Sequence, residues 1–241
     1  MACLIPRGTY AYSASPNWAI TGLQLTGERG AVLHHTGSGV AFNLDSGATG
    51  ATVSGLTISN LIIKGNASTT DGVYLRGIVH SMFRFVEVRD VSSKAFNIRH
   101  GVLNHYDTCI VSGNIAAFSV HPTHGFYLDN NGAGYCTATC SFTNCIAEPF
   151  AGKGCALADA SGNVFTGGSF EAVLIGLDID SDVCARNRFV NVWFEANSYA
   201  DTRVKGTANN FTNCYFGSAT TQPTVSVITG AATMFEGGLP A

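Results

Sequence analysis

The sequence predicts an all-β fold, a right-handed single-stranded parallel β-helix of about eight or nine coils, and three observations carry that expectation. The first is a repeat. The fragment Asn187-Arg-Phe189-Val-Asn191-Val-Trp193-Phe194-Glu195 recurs around Phe211, Phe165 and Phe142, with weaker copies at Tyr106, Phe83 and Ile58. The gaps along this column are 25, 23, 36, 23, 24 and 22 residues, so only one coil breaks the rhythm. A fixed period of this size marks a solenoid whose coils are stable only when stacked. The second is a companion segment in each coil, opened by a small residue, as in Gly72-Val73-Tyr-Leu75, Ala95-Phe96-Asn-Ile98 and Gly125-Phe126-Tyr-Leu128. Short period-two runs punctuated by Gly, Asn and Asp are strand and turn chemistry. The third is composition: charged residues make up 12%, well below a helical bundle's share, and there are 28 glycines.

Each column of the repeat has a facing. Positions that stay apolar in every coil point inward, so the columns of Phe189, Val192 and Phe194 form the core, and those of Val190 and Trp193 face out. Inward positions read 189, 191, 192 and 194, so the parity changes at Asn191 and the chain must bend there. Asn60, Asn144, Asn191 and Asn213 fill the bend column, with Gly167 and Thr108 elsewhere. Asn tolerates a left-handed backbone and can bond its stacked neighbour, so a ladder of Asn side chains is expected at the bend.

One domain spans residues 1–241: an opening coil at 1–29, regular coils over 30–228 with insertions at 113–124 and 130–140, and an exit at 229–241. Net charge is −3 without a Lys/Arg cluster, so the footprint of a nucleic-acid or anionic-membrane partner is missing. No apolar run nears the roughly 18 residues of a membrane span, and Pro6 and Arg7 interrupt the start too early for a signal peptide. Eight cysteines are too dilute for a disulfide scaffold and are read mostly as buried thiols.

Two places attract chemistry. The irregular coil gathers His121, His124, Tyr127, Asp129, Asn130, Asn131 and Tyr135 on two long connections, where substrate-binding groups concentrate. A protective flap is the simpler role for those loops. The residue after the Phe194 position runs Lys64, Arg89, Ser112, Glu148, Glu171, Glu195 and Gly217. Stacked carboxylates repel, so Glu148, Glu171 and Glu195 either bind something or separate in pKa. Adjacent rungs stand about 5 Å apart, near the carboxyl spacing of retaining glycosidases, and alternate rungs about 9.5 Å, at the upper end of the inverting range. These three are the acid and base candidates, against a purely structural role as turn caps. The column is expected to border the same groove as the His121 and His124 loop. The outward column of Ile62, Glu87, Ile110, Ile146, Ser169, Trp193 and Tyr215 is an exposed apolar stripe suited to partner contact, and Trp193 and Tyr215 are also placed to stack on sugar rings. No metal is expected at His121, His124, Cys136 and Cys140, whose spacing matches no familiar zinc site. Asp178, Asp180 and Asp182 offer the alternative of a Ca²⁺-assisted lyase.

The opening Ile5-Pro6-Arg7-Gly8-Thr9-Tyr10, then Ile20-Thr21-Gly22-Leu23-Gln24-Leu25-Thr26-Gly27 and the Asn-x-Phe to Phe-Glu repeat, resembles the pectate-lyase-like superfamily of right-handed β-helices. Its tailspike and polysaccharide-depolymerase coils are the most similar. The resemblance implies a polysaccharide partner, glycoside hydrolase or lyase activity, association as a homo-oligomer such as a homotrimer, and an extracellular or virion-surface location. Members usually carry a capping helix before the Pro-x-Gly-x-Tyr opening, which implies that this chain is a fragment or that another subunit covers its end. Neither the paired Asp with Gly-His-Gly of polygalacturonases nor the Arg-x-Pro-x-x-Arg of pectate lyases occurs. A non-catalytic fibre or adhesin segment that binds surface glycans is the alternative function.

Overall fold

The computed structural model describes residues 1–47, 50–113 and 120–217, together with the backbone of Val225–Thr229 and Met234–Glu236. Its strands pair in parallel throughout, in a bent sheet of 17 strands, a flatter sheet of eight, and two short two-stranded sheets. The chain is a right-handed parallel β-helix. In a typical coil two strands of the bent sheet, such as Arg188–Val190 and Trp193–Glu195, lead around a corner into one strand of the flat sheet, Ala200–Lys205. Cross-rung bridges such as Ser161 to Ala185 and Ala185 to Thr207 then close the third side.

The aromatic file runs down the inside as the repeat demands. Ile58, Phe83, Tyr106, Phe142, Phe165, Phe189 and Phe211 are all buried. Phe83 stacks on Tyr106 at 5.1 Å, Tyr106 on Phe142 at 4.5 Å, Phe142 on Phe165 at 4.4 Å, and Phe189 lies 4.8 Å from both Phe165 and Phe211. Burial of each such ring contributes on the order of 2–3 kcal/mol, which is how a coil with few contacts of its own becomes stable in the stack. Six of the eight cysteines, Cys109, Cys140, Cys145, Cys155, Cys184 and Cys214, are buried thiols of this core.

The bend residues Asn60, Phe85, Thr108, Asn144, Gly167, Asn191 and Asn213 all have φ between 50° and 63°. Two expectations about this corner need correction. Asn191 is exposed rather than inward, and the parity changes because residues 190 and 191 both turn outward. The ladder of Asn side chains lies elsewhere in the repeat, at the fully buried Asn163, Asn187 and Asn209. Asn187 Oδ1 accepts from the Asn163 backbone N–H at 3.1 Å and from its Nδ2 at 3.0 Å, and Asn209 Oδ1 serves Asn187 in the same way at 3.1 Å. A turn buried between rungs must satisfy its amides internally, whereas an exposed bend leaves that to water. Phe85 is the bulky member of the bend column. A left-handed backbone costs a residue with a β-carbon about 1–2 kcal/mol.

Residues 114–119 of the expected 113–124 insertion lie outside the described residues. At the far end the ladder continues past residue 229, since Met234–Glu236 pairs with Asn210–Thr212 as a further rung of the bent sheet.

Candidate active site on the flat sheet

The flat sheet alternates from the Phe96 position onward, and the alternation breaks at the small residue before it, so Lys94, His124 and Lys153 stay part-exposed. Phe96, Phe126, Cys155 and Leu177 point into the core in successive rungs, and so do Ile98, Leu128, Leu157 and Ile179. Pleating therefore sends the residues between them outward. Register aligns Lys94 with His124 and His124 with Lys153 in one outward column. It aligns Asn97, Tyr127, Ala156, Asp178 and Arg203 in the next. Around these columns lies a cavity of about 380 Å³ lined by Lys94, His124, Tyr127, Lys153, Asp178 and Asp180, among others.

Hydrogen bonding fixes the state of His124. The Thr123 hydroxyl donates its one proton to the Ser93 carbonyl at 2.8 Å and stands 2.9 Å from His124 Nδ1. Its oxygen can therefore only accept from the imidazole, which assigns the proton to Nδ1 and leaves a lone pair on Nε2. Burial first, and then the charges of Lys153 and Lys94, push the imidazole down to about 4, against the pull of Asp178. At neutral pH His124 is an uncharged base.

Tyr127 sits edge-on to His124, with centroids 5.2 Å apart. Lys94 Nζ lies over its ring at 4.8 Å. The phenol donates to Asp129 Oδ2 at 3.1 Å, and burial, then the Asp129 charge, raises it to about 12, so it keeps its proton. The fully buried Asp178 carboxylate accepts Arg203 Nε at 2.6 Å and Nη2 at 2.7 Å, and Lys153 Nζ at 2.5 Å. Two cations share that one anion. The lining sets Lys94 and Lys153 against Asp178 and Asp180, and among the described residues no carboxylate pairs with Lys94. The arrangement combines a neutral base, a protonated acid and cations able to receive an anionic group.

The structure brings together His124, Tyr127 and Asp129 and sets the other expected residues apart. His121 acts on a different carboxyl, Asp90, which burial raises against the opposing charges of Lys64, Arg89, His121 and His34. Tyr135 is half exposed and stacks on His100 at 5.0 Å. Trp193 is 47% exposed on the bent sheet, packs 4.3 Å from Tyr215, and donates from Nε1 to Glu195 Oε2 at 2.6 Å.

The carboxylate column stacks as expected, with Ser112 opposite Glu148 and Glu171 opposite Glu195. Burial, then a hydrogen bond to Glu171, then the Glu171 charge, raise Glu148 to about 7. Glu148, Glu171 and Glu195 do not line the His124 cavity, so the two candidates do not share one groove. The corner between the sheets separates them. The Asp178 and Asp180 carboxylates of the Ca²⁺ alternative are engaged by Lys153, Arg203 and Lys205 instead. Among the described residues no three His, Cys, Asp or Glu side chains stand together as a metal site. Cys140 of the alternative zinc set is a core residue.

Lys94, Lys153 and Arg203 escaped the sequence reading, although a signal was present. Each coil's second strand opens on a small residue, and the position before it reads Asp71, Lys94, His124 and Lys153. Reading that column as an outward one would have assembled the wall of the cavity.

No protein-family model and no curated protein matches the sequence. Solved structures do. The A-module of mannuronan C-5 epimerase AlgE6 from Azotobacter vinelandii superposes with a TM-score of 0.62 at 17% identity, over 93% of this chain and 70% of that one. The AlgE4 A-module from the same organism gives 0.63 at 18%, over 99% and 79%. ORF18 of Geobacillus virus E2 gives 0.74 at 15%, over 99% of this chain, which spans about half of that protein, 54%. At such identities the likeness bears on architecture, and with the stacked file and the bends it establishes the fold as a right-handed parallel β-helix.

Proposed function

We propose that this chain acts on an acidic polysaccharide by removing the proton at C5 of a uronate ring, in the cavity of the flat sheet. The observation that carries the reading is the Nε2 lone pair of a neutral His124 set between Lys94 and Lys153, next to a phenol that keeps its proton. A C5 proton lies α to the carboxylate, and its removal needs a base together with cations that hold the charge developing on the carboxyl oxygens. His124 takes the proton and Lys94 and Lys153 face the carboxylate. Binding of that anion offsets the repulsion the lysines exert on an imidazolium and so strengthens His124 as a base. Tyr127 then donates. If its proton goes to the O4 leaving group as the C4–O bond breaks, the product is an unsaturated sugar, as from a lyase. If it goes to the opposite face of C5, the product is the epimer. Two of the structurally similar chains are named as mannuronan C-5 epimerases, which agrees with uronate chemistry.

The test is turnover of polymannuronate and polygalacturonate, read as unsaturated ends by ultraviolet absorbance and as epimers by proton NMR. His124→Gln and Tyr127→Phe are each expected to lower kcat by about 10²-fold or more, the usual contribution of a general acid or base. Full activity in both variants overturns the assignment.

A second reading has its own observation. Glu148, held protonated to about pH 7 beside Glu171, is the state a glycoside hydrolase acid requires. Hydrogen bonding between the two carboxyls weighs against that pair, because a retaining pair stands about 5–5.5 Å apart to admit the sugar. Glu148 with Glu195 keeps the wider, inverting spacing. Reducing ends released by wild type and abolished in Glu195→Gln, with no unsaturated product, favour this second reading.

A further inference from the structure

The bend of the 17-stranded sheet carries a hollow of about 610 Å³ lined by Arg29, Ile62, Phe85, Glu87, Thr108 and Ile110, among others. It lies on a different sheet from the His124 cavity, and the two share no lining residue. Its size falls within the range of small-ligand sites, and so does its make-up, an apolar floor with a few polar groups.

Phe85 is the anomaly in it. The equivalent residue in the other coils is Asn60, Thr108, Asn144, Gly167, Asn191 or Asn213, small or polar types suited to the left-handed bend. Phe85 holds φ 52° there and is 45% exposed, so its ring lies outside the core. A strained, bulky residue outside the core is a candidate for a binding role. The Arg84 guanidinium packs against the ring, 4.9 Å from its centroid, and bonds Asp107 Oδ2 at 2.9 Å, an arrangement that supports the aromatic group in place.

Charge narrows the ligand. Glu87 is engaged by Arg89 and Asp107 by Arg84. Exposed Arg29 has no carboxylate partner among the described residues, so the rim presents a net guanidinium. An exposed aromatic face beside an uncompensated Arg and the Thr108 hydroxyl fits one chemistry, a pyranose ring with an apolar C–H face, hydroxyls and a carboxylate. Asn60, Phe85 and Thr108 occupy three successive rungs, which spans roughly 10 Å along the solenoid, the length of about two sugars.

We propose that this hollow is a second glycan site, in which Phe85 stacks on a uronate ring and Arg29 binds its carboxylate. The choice of a uronate rests on the function proposed above. The site holds polymer on the face away from the reaction cavity.

The test uses the full chain with His124→Gln to suppress turnover, titrated calorimetrically with mannuronate and galacturonate oligosaccharides and with a neutral glucan oligosaccharide as control. Two uronate sites are expected. Phe85→Asn is expected to weaken one of them about tenfold, in keeping with the usual worth of an aromatic contact, while the melting temperature stays level or rises as the bend relaxes. Arg29→Gln is expected to remove the preference for uronate over the neutral sugar at that site. Lys94→Ala is expected to affect only the other. Titrations unaltered by Phe85→Asn overturn the inference, and turnover by the parent chain in that case leaves the proposed function standing. Uronate binding that depends on Phe85, without any turnover, supports the hollow and sinks the proposed function instead. Sedimentation showing a self-associated chain that Phe85→Asn dissociates assigns the hollow to a second copy and overturns the glycan site.

Discussion

Glu148 and His124 carry opposite pH signatures, and both follow from where their protons sit. His124 takes its proton near 6.5 in an unfolded chain and near 4 in the fold. Between those values the unfolded chain holds the extra proton, so His124 costs nothing above pH 6.5 and lowers stability as pH falls toward 4, by roughly 2–3 kcal/mol. Glu148 runs the other way. Its folded value near 7 lies above the unfolded 4.5, so its stabilising effect is present at low pH and is lost as pH rises through 7. Thermal melts of Glu148→Gln are therefore expected to exceed wild type at pH 8 and to match it near pH 5, because an amide can donate to Glu171 at every pH. Melts of His124→Gln should show the reverse, a gain at pH 5 and none at pH 8. The stacking of the three carboxylates was legible in the sequence, as was the electrostatic cost that shows at Glu148. Their distance from His124 was not, because a repeat fixes the rung and the column but not how far the corner carries one column from another.

Within each coil, the elements divide turning and bonding between two sets of Asn residues. The exposed Asn144, Asn191 and Asn213 supply left-handed backbone at the bend, and the buried Asn163, Asn187 and Asn209 supply side-chain bonds between rungs. Both sets stand in the repeat, and only their burial tells them apart. Alternation within a strand is visible in a column of residues, but the side of a turn that is sealed from water depends on the short third side of the coil, which has almost no periodic pattern of its own. Asn187→Ala leaves the Asn163 backbone N–H without its acceptor and takes one of the two acceptors of the Asn163 side-chain amide, whose other is the Thr137 carbonyl. We expect a loss of about 2–3 kcal/mol in denaturant unfolding, from the unsatisfied buried donor and the lost side-chain bond. Asn191→Ala loses only a tolerance for left-handed backbone and is expected to cost about 1 kcal/mol. Equal losses at the two positions would contradict this division. Gly168 is less forgiving than either, since a β-carbon there would lie 2.1 Å from the Cys145 carbonyl oxygen of the rung before it.

At the scale of the whole molecule, the parallel stack turns a linear repeat into faces of different chemistry. The flat sheet presents a neutral base, a phenol and the Lys94 ammonium, the bend presents a strained aromatic hollow, and strand ends of the bent sheet carry the carboxylate column. The aromatic file and the bends could be read from spacing alone, because identical columns must coincide when coils stack. The flat-sheet cavity was half legible: His124, Tyr127 and Asp129 drew attention through an unusual loop, whereas Lys94 and Lys153 come from neighbouring rungs and meet His124 only across the sheet. Their meeting is the basis of the proposed chemistry. Incubation of polymannuronate and polygalacturonate with the protein in D₂O, followed by NMR of the products, tests it most directly, since both outcomes of C5 proton removal are read at once. The account expects deuterium at C5 or unsaturated C4–C5 ends with wild type, and neither with His124→Gln. Unchanged polymer after exposure to wild type, or C5 exchange that persists in His124→Gln, would contradict it.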